Sequence, residues 1–145
     1  MNGILIVDKP ADWTSHDVVA KIRGAAHEKR VGHSGTLDPM ATGVLAVFAG
    51  RATRAVEFAE ADEKEYIAGL RLGVKTDTQD VTGTVLQKCD KPISRGELCA
   101  ALESFRGEIE QLPPMYSAIK INGQKLYELA RRGREVERTP RKVTI

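Results

Sequence analysis

Residues 32–43, with the sequence GHSGTLDPMATG, are the feature that most restricts what this chain can fold into. Three glycines and one proline lie within these twelve residues, between two apolar segments. Glycine permits positive φ angles and close backbone approach, and Pro39 restrains Asp38 toward an extended conformation. The pattern predicts a loop from Val31 to Pro39 that presents one carboxylate at the end of a strand.

The chemistry of this loop is not fixed by its spacing. It has neither the Gly-Lys-Ser/Thr of a P-loop nor a GxGxxG motif. The Ser-His pairs at 15–16 and 33–34 lack the GxSxG turn of a hydrolase nucleophile, and no histidine or aspartate pair has HExxH or EF-hand spacing. Two interpretations stay open at this point: a tight turn in which Asp38 bonds its own backbone, and an ionised carboxylate that acts as nucleophile or base.

Strand-like and helix-like segments are intermixed without a strict βαβ order, which favours an α+β domain with a mixed, largely antiparallel sheet and flanking helices. The apolar runs 3–8 and 44–48 predict buried strands, and the alternation at 66–72 predicts a half-buried one. Further strands are predicted at 84–87, 117–121 and 143–145. Helices are predicted from a cap at Thr14 or Ser15 to residue 26, at 53–59, from a Ser94 capping box to Gly107, and at 126–132. The helix that begins at Ser94 carries Leu98, Ala101, Leu102 and Phe105 on one face, and a turn is predicted at Asn122-Gly123.

The segment 143–145 has the pattern of a strand that has only begun. The sequence shows no internal repeat and no interdomain linker. We therefore expect residues 1–145 to be a fragment, whose visible strands need partners from residues outside this sequence.

The composition excludes several classes of protein. With 145 residues and 41% hydrophobic residues the chain is long enough for a core, and no apolar run approaches the ~20 residues of a membrane span. The N-terminus lacks a basic segment followed by a long apolar one, so we expect a cytoplasmic protein without a secretion signal. Cys89 and Cys99 are expected to be free thiols.

Charge is distributed unevenly along the chain. Eight basic and three acidic residues lie between Lys120 and Lys142, whereas Glu57 to Glu65 holds five acids and one lysine. The basic segment fits either a polyanion-binding face or a solvated helix face. Tyr66, directly after the acidic run, fits either the core or a platform on which a base stacks.

Five segments, in this order, then carry a resemblance to a known family. They are KP and TSHDVV (9–10 and 14–19), GHSGTLDPMATGVL (32–45), Tyr66 with LG (72–73), TDTQD with Gly83 (76–80), and LPPMYSAIK continuing to Arg131 (112–120). Together they resemble the bacterial tRNA pseudouridine-55 synthases, and the similarity runs from about Gly3 to Ile145. The sequence departs from that pattern at Ala11-Asp12-Trp13, where the family often has glycine.

The resemblance implies the pseudouridine synthase catalytic fold, incomplete in this chain, and an isomerase of tRNA. Its reaction would convert uridine 55 of the T-loop to pseudouridine by base flipping and an aspartate-dependent rearrangement of the glycosidic bond. The implied partner is the T-arm of tRNA, bound by a full-length form expected to be monomeric. No cofactor, metal or membrane is expected to take part.

The resemblance also implies the roles of individual residues. Asp38 would be the catalytic aspartate, and Tyr66 would stack on the flipped uracil and serve as the base that accepts the C5 proton. The substrate-binding residues would be His33, which helps open the T-loop, Asp80, which orders the network around the base, and Lys9, Lys120, Arg131 and Arg132. Lys9 with Pro10 would mainly support the site.

Other elements of the family are expected to be missing from this sequence. They are a later arginine that pairs with the catalytic aspartate, a later apolar strand, and a PUA-type RNA-binding domain. Residues 1–145 alone are therefore predicted to be inactive or nearly so, because the carboxylate would lack its charged partner. A non-catalytic tRNA-binding or refolding module, and a metal-dependent hydrolase using His33, Asp38 and Asp77, remain the alternatives.

Overall fold

The computed structural model describes residues 1–59 and 63–145, which divide into two units, Met1–Ile67 and Ala68–Ile145. Part of the acidic run from Glu57 to Glu65 thus lies outside the described residues. Every strand pairing found in the described residues is antiparallel, and helices accompany the sheets in both units. The predicted α+β class is confirmed, although the strands form four small sheets rather than one mixed sheet.

A three-stranded sheet in the order β1-β3-β2 organises the first unit. Its strands are β1 (Gly3–Lys9), β2 (Val31–Ser34) and β3 (Gly43–Ala49). The central strand pairs with β1 from Gly3↔Ala49 to Lys9↔Gly43, and with β2 from Val31↔Ala49 to Ser34↔Ala46. The loop between β2 and β3 therefore leaves the sheet at the same end at which β1 finishes, near Lys9.

Helix α1 (Ser15–Ala25) covers one face of this sheet, and its start follows the sequence closely. Thr14 is the N-cap, and its side chain accepts a hydrogen bond from the Asp17 N–H at 3.0 Å. The Asp17 carboxylate in turn accepts from the Thr14 N–H at 2.8 Å, which completes a capping box. The apolar spacing then directs Val18 and Val19 inward, where both are buried.

The core of the first unit is the contact between α1 and the sheet. Burying one such aliphatic side chain contributes about 1.5–3 kcal/mol, so this small cluster supplies most of the unit's cohesion. Its buried members are Val18, Val19, Val31, Leu45, Val47 and Ala49, with Leu5, Val7 and Ile22 packed against them.

The apolar run 3–8 forms a half-buried strand rather than a buried one, whereas β3 is buried over most of its length, as predicted. Leu5 and Val7 of β1 face the core, but Ile4 and Ile6 alternate with them and are exposed, as is Val44 of β3. A contiguous apolar run does not reveal how many faces of a sheet are covered, and here one face carries the helix. The chain also enters β2 at Val31, where the sequence predicted the loop to begin.

Short helical segments close the first unit. A 3-10 helix spans Gly50–Ala55 and α2 spans Val56–Ala59, which matches the helix predicted at 53–59.

The strand predicted at 66–72 is wrong. Residues 63–71 have no regular structure, and Ile67 and Leu70 are exposed. An alternating pattern forms a strand only when a neighbour satisfies its backbone, and no described strand pairs with this segment.

Three antiparallel pairs and two helices make up the second unit. They are β4 (Val74–Thr76) with β5 (Val85–Lys88), β6 (Glu108–Gln111) with β9 (Arg141–Thr144), and β7 (Lys120–Ile121) with β8 (Gln124–Lys125); the helices are α3 (Arg95–Glu103) and α4 (Leu126–Arg131). The predicted strand at 143–145 forms as part of β9, which pairs with β6 from Glu108↔Thr144 to Gln111↔Arg141. In the described residues this sheet has two strands, so the expectation of further partners stays a prediction.

Helix α3 begins as predicted and packs less than predicted. Ser94 caps it, and Glu97 returns a hydrogen bond to the Ser94 N–H at 2.8 Å. On its predicted apolar face, Leu102 and Phe105 are exposed and Leu98 is half-buried.

No helix in the described ranges is long and apolar enough to cross a membrane. Cys89 and Cys99 are free and exposed, as expected.

Candidate functional site

The loop between β2 and β3 places Asp38 at the surface beyond the end of β2. Gly35 adopts φ +70°, a left-handed conformation that favours glycine, and its carbonyl lies 2.9 Å from His33 Nδ1. The Asp38 carbonyl accepts a hydrogen bond from the Ala41 N–H at 3.0 Å, so the loop closes through its backbone. No hydrogen bond or ion pair in the described residues occupies the Asp38 carboxylate itself. The loop therefore begins after Ser34, later than predicted, and it presents an exposed carboxylate at the end of a strand, as predicted.

Lys9 supports this loop from below. Its side chain is 0% exposed, and the ammonium donates to the carbonyls of Trp13 at 2.6 Å, Pro10 at 2.9 Å and Pro39 at 3.2 Å. That Lys9 binds substrate stays a prediction, and these contacts do not favour it, because the ammonium is fully buried and surrounded by backbone carbonyls. The supporting role that the resemblance implied for Lys9 with Pro10 agrees with these contacts.

Two further residues of the segment after β1 bind the same loop. The buried Ser15 hydroxyl accepts from the Leu37 N–H at 3.0 Å and donates to the Leu37 carbonyl at 3.3 Å. The Asp12 N–H donates to the Pro39 carbonyl at 2.8 Å. Asp12 has φ +65°, so a non-glycine residue adopts a left-handed backbone within the segment 11–13, where the resembling family often has glycine.

Tyr66 is 64% exposed and lies in neither a helix nor a strand. This exposure removes the interpretation of Tyr66 as a core residue and leaves its ring and hydroxyl open to solvent. The hydroxyl makes no hydrogen bond to the part of the chain that is described, and its role as stacking residue and base stays a prediction.

Asp80 lies in a tight turn between β4 and β5, in the second unit. Its Oδ1 accepts from the Thr82 hydroxyl at 2.6 Å, the Thr78 hydroxyl at 2.7 Å and the Thr82 N–H at 2.8 Å. The hydrogen bond from the Thr82 hydroxyl is the largest of the effects that hold the pKa of Asp80 below its usual value. Asp80 is therefore ionised, and hydrogen bonds within its own turn fix its carboxylate. A wider hydrogen-bond network around a bound base would include the carboxylate in this fixed orientation.

Asp77 has a similar structural role in this turn. Its Oδ1 accepts from the N–H groups of Thr84 at 2.7 Å and Thr78 at 2.9 Å. Within the described ranges, no group of three or more His, Cys, Asp or Glu residues is placed to hold a metal ion.

The basic hairpin-helix, which we define as residues 120–132, presents the other predicted substrate-binding residues. Lys120 pairs with Lys125 across the β7–β8 turn, where Asn122 and Gly123 both have positive φ as a two-residue hairpin requires. Lys120, Arg131 and Arg132 are exposed. Their charges therefore face solvent, in the arrangement that a phosphate-binding surface needs.

Tyr127 is a feature of this surface that the sequence did not indicate. The Lys125 ammonium lies 3.3 Å from the Tyr127 hydroxyl and 5.4 Å from its ring centre, and the Arg131 guanidinium lies 5.3 Å from the same centre. These are cation–π distances, and the ring therefore fixes two cations of the hairpin-helix. The i, i+4 spacing of Tyr127 and Arg131 is the only signal that could have indicated it.

Not every cation between Lys120 and Lys142 is available to a ligand. The Arg138 side chain is 17% exposed, and it donates to the Pro113 carbonyl at 3.1 Å and to Glu135 at 2.9 Å. Lys142 forms an ion pair with Glu108 at 2.7 Å. The interpretation of the whole segment as one binding face is thus too broad.

The structure gathers some of the predicted site residues and leaves others apart. Lys9, His33 and Asp38 meet at the loop between β2 and β3 in the first unit. Tyr66 belongs to the same unit, but none of the hydrogen bonds among the described residues joins it to that loop. Asp80, Lys120, Arg131 and Arg132 belong to the second unit. Sequence reasoning missed the contact of Ser15 with Leu37, because it considered Ser15 as a helix cap, as part of a Ser-His pair and as part of the resembling segment 14–19.

Residues 23–145 match the model of the TruB family pseudouridylate synthase (N terminal domain). The chain belongs to this family. Its relatives include "tRNA pseudouridine synthase B" of Clostridium kluyveri, 50% identical over 145 residues, and that of Alkaliphilus oremlandii, 52% identical over 145 residues. Both alignments cover 100% of this chain, so the segment from Lys9 to Ser15 is matched as well.

Solved structures agree with the family. A chain of a Cbf5-Nop10-Gar1 complex superposes with a TM-score of 0.55 at 29% identity, over 81% of this chain and 31% of that one. A chain of an H/ACA RNP bound to a substrate RNA containing 2'-deoxyuridine gives 0.50 at 25% identity, over 83% of this chain and 34% of that one. The small antiparallel sheets and helices seen here are thus part of a pseudouridylate synthase fold.

The chain spans about half the length of the curated relatives it matches, 50% of the Clostridium kluyveri protein and 48% of the Alkaliphilus oremlandii protein.

Proposed function

We propose that this chain supplies the aspartate-bearing half of an enzyme that isomerises uridine to pseudouridine in the T-loop of tRNA, at position 55. The observation that carries the proposal is the free Asp38 carboxylate on a loop anchored at both sides, in a chain of the TruB family. Relatives about half identical to it are named tRNA pseudouridine synthase B, which favours tRNA as the substrate.

The reaction is an isomerisation within one nucleotide. The C1′–N1 bond breaks and a C1′–C5 bond forms, C5 loses its proton and N1 gains one, so no electrons are transferred and no cofactor is needed. Asp38 acts either as a nucleophile toward the nucleotide or as the base that removes a proton to give a glycal. Both routes require an ionised carboxylate at the sugar or ring.

Extruding the target base from its stack costs a few kcal/mol. An exposed aromatic ring offsets part of this cost, since base stacking contributes about 1–3 kcal/mol per base. Tyr66 is such a ring, and its hydroxyl is the candidate acceptor of the C5 proton. His33, which is half-buried beside the Asp38 loop, contacts the T-loop and helps to open it.

The exposed cations of the basic hairpin-helix bind the phosphates of the tRNA arm in this proposal. Such contacts release counterions, so affinity falls steeply as salt rises. In duplex regions, RNA is recognised largely through its shape and backbone, which suits a surface of lysine and arginine.

The domain assignment is part of the same proposal. Residues 1–145 correspond to the N-terminal portion of the catalytic domain, and the remainder supplies an arginine partner for Asp38 and further RNA contacts. An unpaired carboxylate lacks charge-assisted positioning, so the chain alone is expected to be inactive or nearly so. Efficient isomerisation by residues 1–145 alone contradicts this part of the proposal.

The test uses a chimeric protein in which residues 1–145 are joined to the C-terminal half of the Clostridium kluyveri relative. Tritium release from tRNA carrying 5-tritiated uridine reports the loss of the C5 hydrogen. Asp38→Asn should abolish release while tRNA binding persists, and Asp90→Asn, an exposed matched control, should retain activity. Unchanged turnover by Asp38→Asn excludes Asp38 as the catalyst.

Two further variants separate the alternatives. Tyr66→Phe should bind tRNA normally and turn over slowly, because the stacking ring remains and the hydroxyl is lost; equal rates exclude a role for the hydroxyl. A transcript with cytidine at position 55 should release no tritium. A protein that binds and refolds tRNA with no release from any variant, the unsubstituted chimera included, supports the non-catalytic module instead.

A further inference from the structure

The backbone is anchored on both sides of Asp38, by different side chains. On the C-terminal side, the Pro39 carbonyl accepts from the Lys9 ammonium at 3.2 Å and from the Asp12 N–H at 2.8 Å. On the N-terminal side, both backbone polar groups of Leu37 bind one hydroxyl, that of Ser15, at 3.0 and 3.3 Å. A hydroxyl carries one donor and two acceptor sites, so a single side chain can satisfy both groups.

The Leu37 carbonyl belongs to the same peptide unit as the Asp38 nitrogen. A hydrogen bond to that carbonyl therefore restrains the orientation of the peptide plane that precedes the Asp38 Cα, and with it the direction of the Asp38 side chain. Ser15 itself is 3% exposed and is the first residue of α1, whose Val18 and Val19 lie in the core. The anchor is thus part of a helix whose inner face packs in the core of the first unit.

We propose that Ser15 is a positioning residue for the Asp38 carboxylate. The inference rests on the proposed function, in which Asp38 reacts with the nucleotide, and it adds a residue that touches neither RNA nor the reacting atoms. Because a misplacement of about 1 Å can cost about 100-fold in rate, loss of one of two anchors should be visible in turnover.

The experiment compares Ser15→Ala with Thr14→Ala in the chimeric protein. Thr14→Ala removes the cap of the same helix and leaves the Leu37 contacts in place, so it measures what a weaker α1 does by itself. Ser15→Ala should lower kcat by about 10- to 100-fold with KM changed by less than about threefold. Thr14→Ala should lower Tm and leave kcat unchanged. An equal loss of kcat in both variants, or none in Ser15→Ala, overturns the proposal.

A second pair keeps the test decisive where Ser15→Ala does not fold. Threonine and valine have the same shape and differ by the hydroxyl, so Ser15→Thr should retain much more activity than Ser15→Val. Equal activity in the two variants overturns the proposal. In the unsubstituted chain, amide hydrogen exchange should show a protected Leu37 N–H, and exchange at the rate of an unstructured peptide overturns it without any substitution.

The outcome for Asp38→Asn distinguishes this inference from the function on which it rests. An active Asp38→Asn protein removes the proposed function and with it the role of Ser15. An inactive Asp38→Asn protein beside a fully active Ser15→Ala protein removes the positioning role alone.

Discussion

Replacing Lys9 by methionine should destabilise the first unit, because the buried ammonium holds three backbone carbonyls together. Methionine preserves the length and much of the volume of the side chain and removes the charge and all three donors. The Pro39 carbonyl keeps its bond from the Asp12 N–H, so the carbonyls of Pro10 and Trp13 lose the most.

The size of the effect follows from the contacts. Hydrogen bonds to a charged group contribute about 1.5–3 kcal/mol each, which gives roughly 4–9 kcal/mol for three. Burying the ammonium costs several kcal/mol, which methionine recovers. The net loss in the free energy of unfolding should be about 2–4 kcal/mol, or a decrease in Tm on the order of 10 °C for a chain of this length.

Thermal and urea unfolding followed by circular dichroism measure this loss. Lys21→Met is the matched control, because Lys21 is exposed on α1 and the same substitution there should change the free energy of unfolding by less than about 0.5 kcal/mol. Equal stability of the two variants would falsify the account of Lys9 as a buried anchor. It would mean that the carbonyls are satisfied equally well without the ammonium.

Three further predictions concern the turns and loops. Asp12→Gly should stabilise the chain by about 0.5–1 kcal/mol in urea unfolding, because glycine adopts φ +65° without strain, and a loss of stability contradicts this. Asp80→Asn should destabilise the chain at neutral pH. Because the pKa of Asp80 is lower in the folded than in the unfolded chain, the stabilisation by its carboxylate is complete above about pH 5 and disappears as pH falls through the folded pKa. The urea unfolding curves of the unsubstituted chain and of Asp80→Asn should therefore converge in acid. Arg138→Met should speed hydrogen exchange of the backbone amides in the segment from Pro113 to Glu135, because the guanidinium binds both of its ends. Unchanged protection of these amides shows that the guanidinium does not hold the two ends together.

Elements whose residues interact locally could be predicted from the sequence. The helix cap at Thr14, the capping box at Ser94 and the turn at Asn122-Gly123 depend on contacts within four residues, and all three form as predicted. The exposed acid at Asp38 follows from glycine and proline positions in the same way.

Features that depend on distant neighbours could not be predicted. Periodicity marked the segment 66–72 as a strand and Leu102 and Phe105 as an inner face, but burial needs a partner surface, and the pattern carries no information about whether one is present. The same limit explains the half-buried β1, where Ile4 and Leu5 are equally apolar and only one of them meets α1.

The anchors of the Asp38 loop show why functional residues can be hidden in a supporting segment. Lys9 and Ser15 act on residues 30 and 22 positions away, through backbone atoms that any residue at Pro39 or Leu37 would possess. Such contacts leave no periodicity for pattern analysis to find. In the function proposed above, their effect is to fix the carboxylate during folding, so that little reorganisation is left for the moment of reaction, when it would subtract from the rate. On that proposal the segment from Lys9 to Ser15 supports the chemistry of Asp38 while it offers no group to the RNA.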